Sequence, residues 1–272
     1  MDEIEVVNPQ IERGRIGHAL LDFDGTVSLI REGWQGVMVP YMVEVLQATG
    51  TAETGEQLTR VVRDYVDLLT GKQTIYQMIR LAEEVERRGG RPEDPLVYKH
   101  EYLDRLWERI KNRVARLKAG QVTPDELAVP GSLEMVRDLH ARGVRLYLAS
   151  GTDQPYVLDE AEALGVTPYF EGGVWGAVDN YRTFSKAMVI DRIIRQNGLE
   201  GPEFVAFGDG YVEIENAKAV GGIAVGVATN EAERCGMDEW KRERLKRAGA
   251  DLIIPDFRCR EVLLRYLFAE GE

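Results

Sequence analysis

A short apolar run, Ile16-Gly17-His18-Ala19-Leu20-Leu21, breaks off abruptly at Asp22-Phe23-Asp24-Gly25-Thr26. It is strand-length, and similar runs recur late in the chain. Val144-Arg145-Leu146-Tyr147-Leu148-Ala149 ends in Ser150-Gly151-Thr152, and Phe204-Val205-Ala206-Phe207 ends in Gly208-Asp209-Gly210. Ile223 to Val227 and Asp251 to Ile254 follow, and helical patterns such as Leu133 to Leu139 and Ala187 to Ile194 lie between them. Apolar strands alternating with helices predict an α/β fold whose parallel sheet is covered on both faces. In open sheets of this kind a ligand sits beyond the carboxyl ends of the strands, and all three polar clusters fall at that edge.

The stretch 27–129 is different: it has helical stripes and no alternating strand. Leu58, Val62, Tyr65 and Leu69 form one stripe behind a Thr54/Gln57 capping box. Ile75, Met78, Ile79, Ala82 and Val85 form a second, and Tyr102 to Leu117 a third. Gly89-Gly90-Arg91-Pro92 reads as a loop, and Thr123-Pro124-Asp125-Glu126 as a further capping box that starts the return. The expected organisation is an α/β core over 1–26 and 130–272 with an all-helical insertion over 27–129. The insertion carries 15 Lys+Arg and 16 Asp+Glu, so nearly all of the net charge of −12 belongs to the core.

That charge bears on partners. Nucleic-acid binding rests on phosphate neutralisation, for which an acidic chain without a basic tract is poorly suited. No apolar run approaches the roughly 20 residues of a membrane-spanning helix. The acidic start Met1-Asp2-Glu3-Ile4-Glu5 does not resemble a secretory signal, and Cys235 and Cys259 are too few for a disulfide scaffold. The expectation is a cytoplasmic protein, monomer or homodimer, that handles a small molecule rather than nucleic acid or membrane.

The chemistry centres on Asp22 and Asp24. Side chains two apart on an extended segment leave on one side, so both carboxylates meet there while Phe23 turns inward. Adjacent carboxylates repel unless a cation or a shared proton offsets them, and one can then stay ionised while the other carries a proton. Read alone, the same residues also describe a solvated Asp-rich turn.

Taken with three further segments, Asp22-Phe23-Asp24-Gly25-Thr26 resembles motif I of the haloacid dehalogenase-like (HAD) hydrolase superfamily. Ser150 looks like motif II, although Ser150-Gly151-Thr152-Asp153 also fits a helix start. Lys186 in Phe184-Ser185-Lys186-Ala187 looks like motif III, although an isolated lysine there is ordinarily a surface residue. Gly208-Asp209-Gly210-Tyr211-Val212-Glu213 looks like motif IV, with Glu213 where an aspartate is commoner. The resemblance implies a Rossmann-like core with an inserted helical C1-type cap, and phosphoryl transfer through an aspartyl-phosphate. It casts Asp22 as nucleophile and Asp24 as general acid and base. Lys186, Ser150 and Gly151 would bind the phosphoryl group, and Asp22, Asp24, Asp209 and Glu213 would form a Mg²⁺ site. Glu213 is expected to act through water or the lysine.

Arg31 and Trp34 follow motif I closely enough to reach a substrate, and Arg182 precedes the lysine loop. Trp34 reads equally as packing within the insertion, and Arg31 as a hinge charge. The activity so implied is hydrolysis of a small phosphomonoester. A phosphomutase of the β-phosphoglucomutase kind and a non-catalytic binding protein are the alternatives.

Overall fold

A computed structural model describes residues 4–271; Glu272 and the first three residues of the acidic start lie outside them. The chain divides into two compact units, Met1–Glu32 with Arg113–Glu272, and Gly33–Asn112.

The first unit is built on a seven-stranded sheet of order β1-β7-β6-β5-β2-β3-β4. Its strands are β1 (Glu5–Val6), β2 (His18–Leu21), β3 (Arg145–Asp153), β4 (Gly173–Ala177), β5 (Phe204–Gly208), β6 (Ile223–Val227) and β7 (Leu252–Ile254). All neighbours run parallel except β1, which pairs antiparallel with β7 at one edge. The short edge strands β1 and β4 are absent from the sequence reading. Both lie at the rim, and β4 is interrupted by Gly173 and Gly176, which weakens the periodic signal.

β2 is the hinge of the topology. The chain moves from β2 to β3 and β4 on one side, then returns to β5, β6 and β7 on the other. That reversal makes a topological switch point, where the loops leaving neighbouring strands diverge. Leu21 pairs with Leu148 and with Phe207, so the ends of β3 and β5 flank the end of β2. Ala19, Leu20, Leu21 and Phe23 are fully buried, as a central parallel strand covered on both faces requires.

Helices α5 (Ser132–Ala141), α6 (Gln154–Ala163), α7 (Lys186–Asn197), α8 (Tyr211–Ala219), α9 (Glu239–Arg247) and α10 (Arg260–Leu267) complete this unit. The outgoing and returning chain segments are stitched together beside the sheet. Leu29 N–H donates to the Leu127 carbonyl (2.8 Å) and Val129 N–H to that of Val27 (3.0 Å). The Ser132 hydroxyl donates to the same Val27 carbonyl (3.0 Å). Residues 27–32 and 113–129 therefore group with the sheet unit.

The second unit holds α1 (Gln35–Gln47), α2 (Gly55–Leu69), α3 (Thr74–Arg87) and most of α4 (Pro95–Lys118). The Thr54/Gln57 box caps α2 reciprocally, Thr54 N–H reaching Gln57 Oε1 at 2.8 Å. Leu58, Val62, Met78, Leu81, Tyr102 and Leu106 supply its buried face. Helix α1 has no counterpart among the sequence stripes. Pro40 sits inside it, and an internal proline ordinarily marks a helix end.

Candidate active site

Asp22 extends the central strand by one more sheet bond, its N–H donating to the Phe207 carbonyl at 2.9 Å. Its carboxylate is buried at the strand end. Oδ1 accepts from Phe23 N–H at 2.7 Å and lies 2.8 Å from Lys186 Nζ. Lys186 is the first residue of α7, which begins there because Ser185 caps it, accepting from Met188 N–H at 3.2 Å. The same ammonium bonds Glu213 in the first turn of α8. Glu213 is fully buried and reaches this position because residue 208 is glycine: a Cβ there would meet Glu213 Cβ at 2.8 Å.

Burial, reinforced by the Glu213 and Asp209 charges, pushes the Asp22 carboxyl well above its usual range against the pull of Lys186. Burial disfavours the Lys186 charge in turn, but Asp22 and Glu213 outweigh it and hold the ammonium protonated.

Asp24 stands on the other side of Phe23. Its Oδ2 accepts from Ser150 Oγ (3.1 Å) and from Thr152 Oγ1 (2.9 Å), while Ser150 Oγ itself accepts Thr152 N–H (3.0 Å). The end of β3 thus presents two hydroxyls to one carboxylate oxygen, with Gly151 between them. Asp24 Oδ1 is buried without a hydrogen-bond partner. Between the two motifs, Gly25 adopts φ +75°, and a Cβ there would fall 2.3 Å from Asp209 Oδ2. Glycine is needed for both the left-handed turn and the close approach. The Thr26 hydroxyl oxygen accepts Asp209 N–H at 3.1 Å and ties motif I to motif IV.

Arg31 belongs to the sheet unit and is largely buried. Its guanidinium forks onto Glu160 of α6, with Nη2 to Oε1 at 2.7 Å and Nε to Oε1 at 3.1 Å. Nε also lies 3.9 Å from Asp24 Oδ1, and the guanidinium packs on the Tyr156 ring. Burial pushes Glu160 up to about 7 against the Arg31 charge. Arg31 is therefore already matched by a carboxylate. Trp34 lies in the helical unit, half-buried just before α1, and Arg182 is exposed over the Tyr181 ring.

Three contacting residues carry no sequence motif: Glu160, Glu231 and Lys241. Lys241 Nζ lies 2.8 Å from Asp209 Oδ2 and 2.5 Å from Glu231 Oε1. Each becomes recognisable only once the fold sets it beside a motif residue.

Six carboxylates at this edge are joined by three cations: Asp22, Asp24, Glu160, Asp209, Glu213 and Glu231 with Arg31, Lys186 and Lys241. Glu213 Oε2 and Asp24 Oδ1 are buried without hydrogen-bond partners. An oxygen-only, negatively charged pocket suits a hard divalent cation. Among the described residues no three His, Cys, Asp or Glu side chains group as a ligand set. A cation here would draw on two carboxylates, a backbone carbonyl and water, which is the mixed shell that small hard cations tolerate.

The strand-end acids, the lysine and the third acid meet at the switch point of the sheet. The sequence profile of the haloacid dehalogenase-like hydrolases matches residues 19–212, and the chain belongs to that family. Among curated proteins, none matches. The fold is shared with several solved structures. A predicted phosphoglycolate phosphatase from Haemophilus somnus aligns at TM-score 0.59 and 14% identity, over 92% of this chain and 98% of that one. A β-phosphoglucomutase from Clostridium difficile aligns at TM-score 0.54 and 12% identity, over 85% and 98%. A HAD family hydrolase from Deinococcus radiodurans, solved with bound phosphate and sodium, aligns at TM-score 0.52 and 18% identity, over 93% and 96%. Among the described residues no helix is long and apolar enough to cross a membrane.

Proposed function

We propose that this chain is a Mg²⁺-dependent phosphomonoester hydrolase that acts on a small phosphorylated metabolite through an aspartyl-phosphate on Asp22. The observation that carries the reading is the buried Asp22–Lys186–Glu213 chain, beside an Asp24 whose Oδ2 takes two hydroxyl donors. A nucleophilic carboxylate, an adjacent acid and a fixed ammonium are the parts that displacement at phosphorus needs.

Asp22 attacks phosphorus, and the bond to the leaving alkoxide breaks as Asp24 gives that oxygen its proton. Asp24 then takes a proton from water as the water oxygen attacks the aspartyl-phosphate, which releases inorganic phosphate and restores the Asp22 carboxylate. When substrate binds, Ser150 Oγ turns its hydrogen from Asp24 Oδ2 to a phosphoryl oxygen, with Gly151 N–H beside it, and Lys186 offsets charge on the phosphoryl group. Glu213 keeps Lys186 in place. Mg²⁺ would be held by Asp22, Asp209 and the backbone carbonyl of Asp24, and would add positive charge to a site where carboxylates outnumber cations. The acidic composition favours a small metabolite over nucleic acid or a membrane surface.

The test is release of inorganic phosphate from a panel of small phosphomonoesters with Mg²⁺. Hydrolysis abolished by EDTA, and lowered about 10⁴-fold or more in Asp22→Asn, is the expected result. Isomerisation of a sugar phosphate with little net phosphate release identifies a mutase instead. Full activity in Asp24→Ala overturns the acid–base assignment.

A further inference from the structure

The proposed chemistry leaves Lys241 and Glu231 without a role, although they form the tightest ion cluster beside Asp209. Lys241 is the third residue of α9, and its N–H is taken by the capping carboxylate of Asp238 at 3.0 Å. A cation in the first turn is opposed by the helix dipole, so helix formation does not explain a lysine there. What holds the ammonium is the pair of carboxylates at 2.8 Å (Asp209 Oδ2) and 2.5 Å (Glu231 Oε1).

The cluster is wedged against motif I. A Cβ on Gly25 would come within 2.3 Å of Asp209 Oδ2 and 3.0 Å of Glu231 Oε1. Asp209 is thus held at two points: its backbone N–H on Thr26 Oγ1 at 3.1 Å, and its Oδ2 on Lys241. The loop that carries Glu231 is fixed independently, because Arg234 donates to the carbonyls of Glu126 (2.7 Å) and Asp125 (2.6 Å).

We propose that Lys241 is a positioning residue that orients Asp209 for a divalent cation by taking up its Oδ2, with Glu231 anchoring the ammonium. This rests on the reading of Asp209 as a cation ligand. With Oδ2 committed to the ammonium, ligation falls to Oδ1, and the carboxylate cannot rotate away. Carboxylate ligands are ordinarily braced in this way by groups behind them, and loss of such a brace costs about 10–100-fold in metal affinity. The opposite role, a built-in rival cation for Asp209, would require Lys241 to swing clear of two carboxylates and a capped helix.

The two roles predict opposite signs in a direct binding experiment. Mn²⁺ is titrated into the full chain, and free Mn²⁺ is followed by its electron paramagnetic resonance signal. Lys241→Met weakens binding about 10–100-fold, Lys241→Arg recovers most of that loss, and Glu231→Gln gives a smaller loss of at least about threefold, consistent with the same brace. Should Lys241→Met fail to fold, as read by its circular dichroism, Glu231→Gln and Lys241→Arg carry the test. Mn²⁺ bound as tightly as in the parent, or more tightly, by Lys241→Met or Glu231→Gln overturns the proposal and leaves the hydrolase reading intact. A parent protein that binds no Mn²⁺ overturns both.

Discussion

In the helical unit Glu84 is as buried as Asp22, Glu160 and Glu213 at the sheet edge, yet three arginines close on it: Arg80 at 2.5 Å, Arg87 at 3.0 Å and Arg88 at 2.5 Å. Arg88 also holds Glu53, and Arg80 holds Glu83, so three carboxylates meet three guanidiniums. At the sheet edge six carboxylates share three cations, and two of their oxygens are buried without hydrogen-bond partners. The helical cluster resembles a structural clasp, in which each charge offsets the desolvation of another. The sheet edge is electrostatically incomplete, and an incomplete buried cluster is where a ligand or a cation has something to add.

This contrast is broken or sharpened by neutralising one acid in each unit. Asp22→Asn removes a carboxylate from the surplus. In the absence of divalent metal it is expected to raise stability by about 1–2 kcal/mol, as relief of a functional site's strain commonly does, while phosphate release falls about 10⁴-fold. Glu84→Gln removes the buried centre of a balanced cluster; Arg80 keeps Glu83 and Arg88 keeps Glu53, so the cost is that of the lost charged hydrogen bonds, about 1–3 kcal/mol, with kcat changed by less than about twofold. Thermal unfolding in EDTA, run beside the phosphate assay, checks both. An Asp22→Asn protein that melts below the parent would show the sheet-edge charges already balanced, and the contrast would be lost.

The sequence speaks unevenly about these two regions. The central strands are legible because strands buried on both faces need unbroken apolar runs, and Asp22, Ser150 and Asp209 stand out because each interrupts such a run at its carboxyl end. Lys186 and Glu213 are legible through their spacing within known motifs. Glu231 and Lys241 are not: they sit in a loop and a charged helix, where another acid or lysine carries no pattern. Glu160 is hidden in the same way among the acidic residues of α6. Arg31 illustrates the limit most clearly. Its place after motif I suggests an anion-binding group, but whether it is free depends on Glu160, which lies 129 residues away in the chain. Contacts of that kind are set by how elements pack, and local spacing does not encode them.

A smaller effect distinguishes the units by pH. Glu160 faces Arg31, with Asp24 and Asp159 also acting on it, and burial places its titration near pH 7. The folded state therefore keeps a proton that the unfolded chain gives up near 4.5, so this group's contribution to stability falls as pH rises from about 4.5 to about 7, by at most about 3 kcal/mol. Glu53 of the helical unit has the opposite sign. Its hydrogen bond to Arg88 holds it below the usual range, so its contribution is present at neutral pH and lost on acidification. Denaturant unfolding from pH 5 to 8 should show the falling slope flattened in Glu160→Gln and kept in Glu53→Gln. An identical slope in the parent and Glu160→Gln would remove Glu160 as its source.

The smallest predicted effects come from two helix caps that do the same local work in different settings. Thr54 accepts from Gln57 N–H at 3.3 Å at the start of α2, and Ser185 accepts from Met188 N–H at 3.2 Å at the start of α7. Removal of either hydroxyl, as Thr54→Ala or Ser185→Ala, is expected to cost about 1 kcal/mol of stability. The consequences then diverge. Helix α2 carries no proposed catalytic group, so Thr54→Ala should leave kcat unaltered. Helix α7 begins at Lys186, whose ammonium must hold Asp22 at 2.8 Å, and a frayed first turn loosens that contact. Ser185→Ala should therefore lower kcat several-fold, with about 1 kcal/mol of misplacement corresponding to roughly fivefold in rate. Equal stability losses with unequal kcat losses would tie the capping hydroxyl to the placement of the lysine. Equal losses in both would make Ser185 a cap and nothing more.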